Sequence, residues 1–104
     1  MAKVIFFNSY KLIKGSSVPD FMKAVEDLFE GHISKQKGYA MSKIMVDGDT
    51  WADYTAFETM EDLNAFLEAS KAGTNELAER FYSFINFSTC KSHTFTVEKY
   101  FYGD

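Results

Sequence analysis

His32 is the polar residue in this chain best placed by its neighbours to do chemistry. Phe21, Val25, Leu28 and Phe29 recur at helical spacing, while Glu26, Asp27, Glu30, Ser34 and Lys37 fall on the opposite arc. On a helix turning about 100° per residue, His32 lies near the middle of the apolar arc and Gln36 follows one turn later. Both side chains are therefore expected to point toward whatever the helix packs on. An imidazole in an apolar cleft, with an ordinary pKa of about 6.5, can serve as a general base or orient a phenolic substrate. An inward histidine more often just satisfies a carbonyl or a tyrosine hydroxyl.

Asn8 interrupts a run of bulky apolar residues and shares a strand face with Phe6 and Tyr10. Its amide could donate to an oxyanion forming on a bound molecule; the alternative is a place in an interface or at a bulge. Tyr10 and Tyr54 offer further hydroxyl donors. Trp51 and Phe66 offer flat apolar surface, although rings of this kind also serve as ordinary core. The expected site thus has His32, Asn8 and Tyr10 as catalytic candidates and Trp51, Tyr54, Phe66 and Gln36 as ligand contacts.

Other combinations fail on spacing. Cys90 and His93 are separated by an odd number of residues in an extended segment, which sends their side chains to opposite faces. His32 and His93 lack metal-ligand spacing, and Asp47, Asp49 and Asp53 read as turn and strand-edge acids rather than a calcium loop. No metal is expected. Glycine patterns for dinucleotides or nucleoside triphosphates are also missing, so no cofactor is expected.

Eleven Lys and Arg against fifteen Asp and Glu give a net charge of −4, which leaves no basic field for a nucleic acid backbone. The single Cys90 cannot form an internal disulfide, and a reducing cytoplasm is the expected location. The run Val4-Ile5-Phe6-Phe7 is too short for the core of a signal peptide, and no stretch reaches membrane-spanning length. At 104 residues the chain is expected to form one domain. Aromatic residues make up 17%, more than a small core usually needs, which hints at a lined cavity or a covered surface.

The elements that must position these residues follow from period and punctuation. Val4 to Ile13 reads as a strand closed by Gly15-Ser16-Ser17, and Pro19 suits the first turn of a helix capped by Ser17 or Val18. That helix is expected to end at Gly38. Tyr39 to Val46 and Thr50 to Phe57 form a hairpin across Asp47-Gly48-Asp49. Thr59 and Asp62 make a weak capping box for a second helix carrying Met60, Leu63, Phe66 and Leu67, which pauses at Gly73 and is recapped by Asn75. Leu77, Phe81, Phe84 and Ile85 continue on one side, and Ser92 to Phe101 forms a closing strand. The order β-α-β-β-α-β is the α+β ferredoxin-like arrangement, a four-stranded antiparallel sheet with helices on one face. The strands do not alternate cleanly between polar and apolar residues, so both sheet faces need cover. A second copy of the chain is the simplest cover for the face without helices, and a homodimer is expected.

The segment Phe6-Phe7-Asn8-Ser9-Tyr10-Lys11-Leu12-Ile13-Lys14-Gly15, the hairpin, the segment Phe57-Glu58-Thr59-Met60-Glu61-Asp62-Leu63 and the closing Val97-Glu98-Lys99 together resemble the dimeric α/β-barrel proteins. In particular, the chain is similar to antibiotic biosynthesis monooxygenases. The resemblance implies that two ferredoxin-like subunits form a barrel, with a pocket between sheet and helices in each. It further implies oxygenation of an electron-rich phenolic substrate without an added cofactor. Haem-degrading relatives combine a strand-one Asn with a Trp and a His on the second helical region; Asn8 matches the first, but Phe66 and Glu76 stand at the other two places. Haem degradation is not expected. Two readings remain: a small-molecule-binding, cofactor-independent monooxygenase acting on an aromatic or planar organic substrate, and a non-catalytic ligand-binding or stress-related module.

Overall fold

β-Branched and aromatic residues dominate the segments that pair into the sheet. In the computed structural model, which describes residues 3–73 and 75–103, these are β1 (Val4–Leu12), β2 (Tyr39–Asp47), β3 (Thr50–Phe57) and β4 (Ile85–Thr96). Three helices join them: α1 (Val18–Gly31), α2 (Met60–Ala72) and α3 (Glu76–Tyr82). The sheet order is β2-β3-β1-β4 with every neighbour antiparallel, so β1 and β3 are central. This is the ferredoxin-like α+β fold, with the second helical region broken into two helices.

Local chemistry explains the boundaries. Ser17, Thr59 and Asn75 each accept a hydrogen bond from the backbone N–H three residues on, capping α1, α2 and α3. The hairpin turn places Gly48 at a φ of 61°, a left-handed conformation that costs glycine nothing. Gly38 has a φ of 79°, and a Cβ there would collide with the Asp62 carboxyl, so the chain entering β2 can lie against the start of α2 only with glycine at this position.

Two expected boundaries move. The first helix stops at Gly31, not Gly38; His32 takes a non-helical φ of −135°, and a 3₁₀ turn follows over Ile33–Lys35. The kink puts Ile33 in the core and leaves His32 half-buried. Burying an isoleucine gains about 1.5–3 kcal/mol, whereas burying an imidazole costs desolvation, so the departure from helical geometry favours the better occupant. The closing strand spans Ile85–Thr96 in place of Ser92 to Phe101. Its first half carries Asn86, Ser88 and Thr89, which look like loop residues. Here the β1–β4 register shifts between Ser9 and Lys11, and the Thr89 hydroxyl accepts from the Lys11 N–H at 2.9 Å in place of a backbone carbonyl.

The helices pack on one face of the sheet and enclose two hydrophobic clusters. The larger is built from Tyr10, Phe21, Val25, Leu28, Phe29, Ile33, Phe81 and Ile85; the smaller from Val4, Phe57 and Leu63. Phe66 and Tyr39 touch both. Phe57 and Leu63 are fully buried, so the small cluster has no slack. Phe57→Ala is expected to destabilise the domain by about 3–5 kcal/mol, read as a lower urea midpoint with an unchanged slope.

Candidate functional site

Along the helix-facing side of the sheet the residues between the two clusters are polar. Asn8 on β1 is paired with Asp53 on β3 and with Ser92 on β4, so the three form a row across the sheet. Period two in each strand puts Tyr10 beside Asn8 and Thr55 beside Asp53 on the same face. Small polar groups stand where bulky apolar ones would have joined the clusters into one core. A cavity of about 460 Å³ lies over them, within the range of small-molecule sites. Its floor is Phe6, Asn8, Tyr10, Asp53, Thr55, Cys90 and Ser92 from the sheet. Leu28, Phe29 and Ile33 form one wall, Phe66, Leu67, Ser70 and Lys71 of α2 another, and Phe81, Tyr82, Ile85 and Phe87 a third.

The floor is a connected hydrogen-bond network. The Ser92 hydroxyl donates to Asn8 Oδ1 at 2.5 Å, Asn8 Nδ2 donates to Asp53 Oδ1 at 2.9 Å, and the Tyr10 hydroxyl donates to Asp53 Oδ2 at 2.9 Å. Asp53 and Tyr10 are 5% and 2% exposed, so this carboxyl belongs to the interior. Burial pushes its pKa above the usual carboxylate range, and the donors Asn8 and Tyr10 pull it partly back. The Tyr10 hydroxyl is driven far above its ordinary value, first by burial and then by the Asp53 charge, and stays protonated. Tyr82, across the cavity, is raised by burial and next by the charge on Asp53.

The structure brings only part of the expected site together. Asn8, Tyr10 and Phe66 line the cavity. His32 does not: the end of α1 turns it into an adjoining depression of about 210 Å³ with Gln36, Asn75 and Glu79, which meets the cavity at Leu28, Ile33, Phe66, Ser70 and Tyr82. Gln36 turns back to donate to the His32 carbonyl oxygen at 3.0 Å, so it is not a contact of the main cavity. Trp51 packs edge-on against Phe21, their ring centres 5.1 Å apart, because it sits one turn of the pleat beyond Asp53 at the crowded end of the sheet. Tyr54, at an odd offset from Asp53, lies on the opposite sheet face with the Lys43 ammonium 5.9 Å from its ring centre. Asn8 and Tyr10, expected as donors to a substrate anion, already donate to Asp53. Cys90 and His93 do face opposite ways: Cys90 lines the cavity, and His93 stacks on Phe95 outside it.

Asp53 is the residue that sequence reasoning misplaced. Its nearness to Asp47 and Asp49 suggested a turn or edge acid, yet it lies in the middle of a central strand. The signal was available: in Thr50 to Phe57, Asp53 shares its face with Trp51, Thr55 and Phe57. Among the described residues no cluster of His, Cys, Asp and Glu could hold a metal ion, and no helix is long and apolar enough to cross a membrane.

Fold and site together define a ferredoxin-like domain with a ligand-sized cavity between sheet and helices. By sequence, no family model and no curated protein matches the chain. By structure, it is similar to SnoaB, a cofactor-independent oxygenase from Streptomyces nogalater, with a TM-score of 0.75 over 96% of this chain and 97% of that one at 12% identity. It is also similar to the ActVA-Orf6 monooxygenase of Streptomyces coelicolor, solved with nanaomycin D, with a TM-score of 0.68 over 99% and 94% of the two chains at 14% identity. A dimeric ferredoxin-like protein from an uncultured marine organism gives a TM-score of 0.68 over 100% and 95% at 12% identity. At such identities the likeness shows the fold, the one shared with antibiotic biosynthesis monooxygenase-like structures.

The raised pKa of Asp53 ties its ionisation to stability. The folded state holds the proton more tightly than the unfolded chain, so the cost of burying the charge is present in full above the folded pKa. That cost is relieved as pH falls from this raised value toward the ordinary carboxylate value of about 3.9. Measured by urea unfolding, the wild type should gain stability relative to Asp53→Asn across this window and level off below it.

Proposed function

We propose that the chain forms a homodimer through its outer sheet face and that each subunit's cavity takes up a small, planar organic molecule and oxidises it with molecular oxygen, using no added cofactor. One observation carries this reading: a hydrogen-bonded polar row on the floor of a cavity whose walls are mostly apolar and aromatic. In such chemistry the substrate supplies the electrons. The protein must hold the molecule, exclude water and assist loss of a proton. When a ring-flanked methylene becomes a carbonyl, one atom of O₂ enters the product and the other leaves as water, with four electrons drawn from the substrate. The structural likeness to SnoaB and ActVA-Orf6 supports this choice over passive binding. Within the cavity, Asn8 and Tyr10 hold the polar floor and Phe66 offers its ring to the substrate.

The dimer rests on the outer face. Phe95 is 51% exposed there, its ring against Phe7 and His93, with Met45 also exposed. Apolar residues of this size clustered on a sheet face call for cover, and the marine ferredoxin-like neighbour is a dimer. Sedimentation equilibrium should give twice the chain mass, and Phe95→Asp should shift the protein toward the single-chain mass; a wild-type monomer at micromolar concentration refutes the dimer.

For the activity, dithranol, an electron-rich anthrone, is the probe. Oxygen uptake and anthraquinone formation should exceed the buffer rate by roughly tenfold or more and fall back to it in Leu67→Trp, which fills the cavity from α2. No acceleration by folded wild-type protein overturns the oxygenase reading.

A further inference from the structure

We propose that Asp53 is the group that takes the acidic proton of a molecule bound in the cavity, with Asn8 and Tyr10 as its positioning residues. The proposal rests on the cavity reading above and supplies the base that reading leaves unnamed.

Asp53 lies halfway along a central strand, on the face that forms the cavity floor. A carboxylate offers about four acceptor directions, and two are occupied, by Asn8 Nδ2 and by the Tyr10 hydroxyl. No ion pair reaches it among the described residues, so neutral donors alone hold the charge. The Asn8 amide is fixed from its other side: Ser92 donates to Oδ1, which leaves Nδ2 directed at Asp53. An amide so oriented suits an acceptor-only, ionised carboxylate. Both positioning residues thus aim Asp53 and favour its ionised form without neutralising it, and its remaining acceptor capacity is left for a molecule in the cavity that it lines.

The two tyrosines near it do not compete. Tyr10 from β1 and Tyr82 from α3 are held protonated by burial and by the Asp53 charge, and α1 contributes only Leu28 and Phe29 to the wall. Cys90 from β4 and Lys71 from α2 are the remaining titratable groups of the lining. His32 belongs to the other depression. Burial raises the basicity of the Asp53 carboxylate. In the step itself, an O–H bond of a phenol or enol breaks, an O–H bond forms on an Asp53 oxygen, and the electron pair stays on the ligand. The single negative charge passes from carboxylate to ligand, and the neutral acid donates a hydrogen bond back to the new anion. No oxidant is involved at this stage.

Binding tests the assignment separately from oxygenation. With β-naphthol and its methyl ether as probes, followed by fluorescence under nitrogen, the wild type should favour the naphthol by about tenfold, the worth of one hydrogen bond to a charged acceptor. Asp53→Asn should lose that preference while holding the ether within about twofold. Should this variant not fold, the wild type alone suffices: its preference should fall as acid protonates Asp53, the ether serving as the control for an intact cavity. Tyr10→Phe should keep the preference and move its loss to higher pH, because a donor that stabilises the carboxylate is gone; a merely structural tyrosine would leave that midpoint in place. A preference that persists in Asp53→Asn, or is missing from the wild type while the ether binds, overturns the base and leaves the cavity reading standing. Failure of both probes to bind overturns both.

Discussion

A carboxylate placed inside the sheet is the constraint on which the rest of the domain turns. Taking such a charge out of water costs several kcal/mol. Hydrogen bonds to a charged group return roughly 1.5–3 kcal/mol each, so Asn8 and Tyr10 together come within reach of that penalty. Their presence on β1 fixes the pairing of β1 with β3, because a slip of one residue would turn both donors to the other face. The polar row divides the interior into two apolar clusters and keeps the helices from settling fully onto the sheet. A cavity is what remains between them.

Much of this was legible in the residues, and the parts that were not share a cause. The hairpin and the caps at Ser17 and Thr59 depend on neighbours in sequence and stand, with Ser17 and not Val18 as the first cap; which face of the first strand turns inward was not readable, since both are apolar. The end of α1 depends on a contest between His32 and Ile33 for one place in the core, which a helical wheel does not register. The first half of β4 is polar because it meets a register shift in β1, and the hydroxyl that completes the pairing, Thr89, lies far along the chain from Lys11. Such long-range requirements leave no local period.

The site divides along the same line. Asn8 stood out as a polar break in an apolar strand, and Tyr10 followed two residues on. Asp53 was masked by the acids of the adjoining turn, although its own strand places it inward. His32 was drawn in by a helical pattern that the chain abandons at that residue. Trp51 and Tyr54 show how position along the strand and strand face decide what an aromatic ring does: one packs into core against Phe21, and the other lies on the far side beneath Lys43.

The floor network also shapes how the sequence can drift. Its members, at positions 8, 10, 53 and 92, come from three strands and meet only in the finished sheet. Replacing Asp53 by an apolar residue would strand the Asn8 amide and the Tyr10 hydroxyl, while replacing either donor first would leave a charge short of partners. Each single step away is therefore penalised, and descendants of this chain should inherit the quartet as a block or exchange it as one.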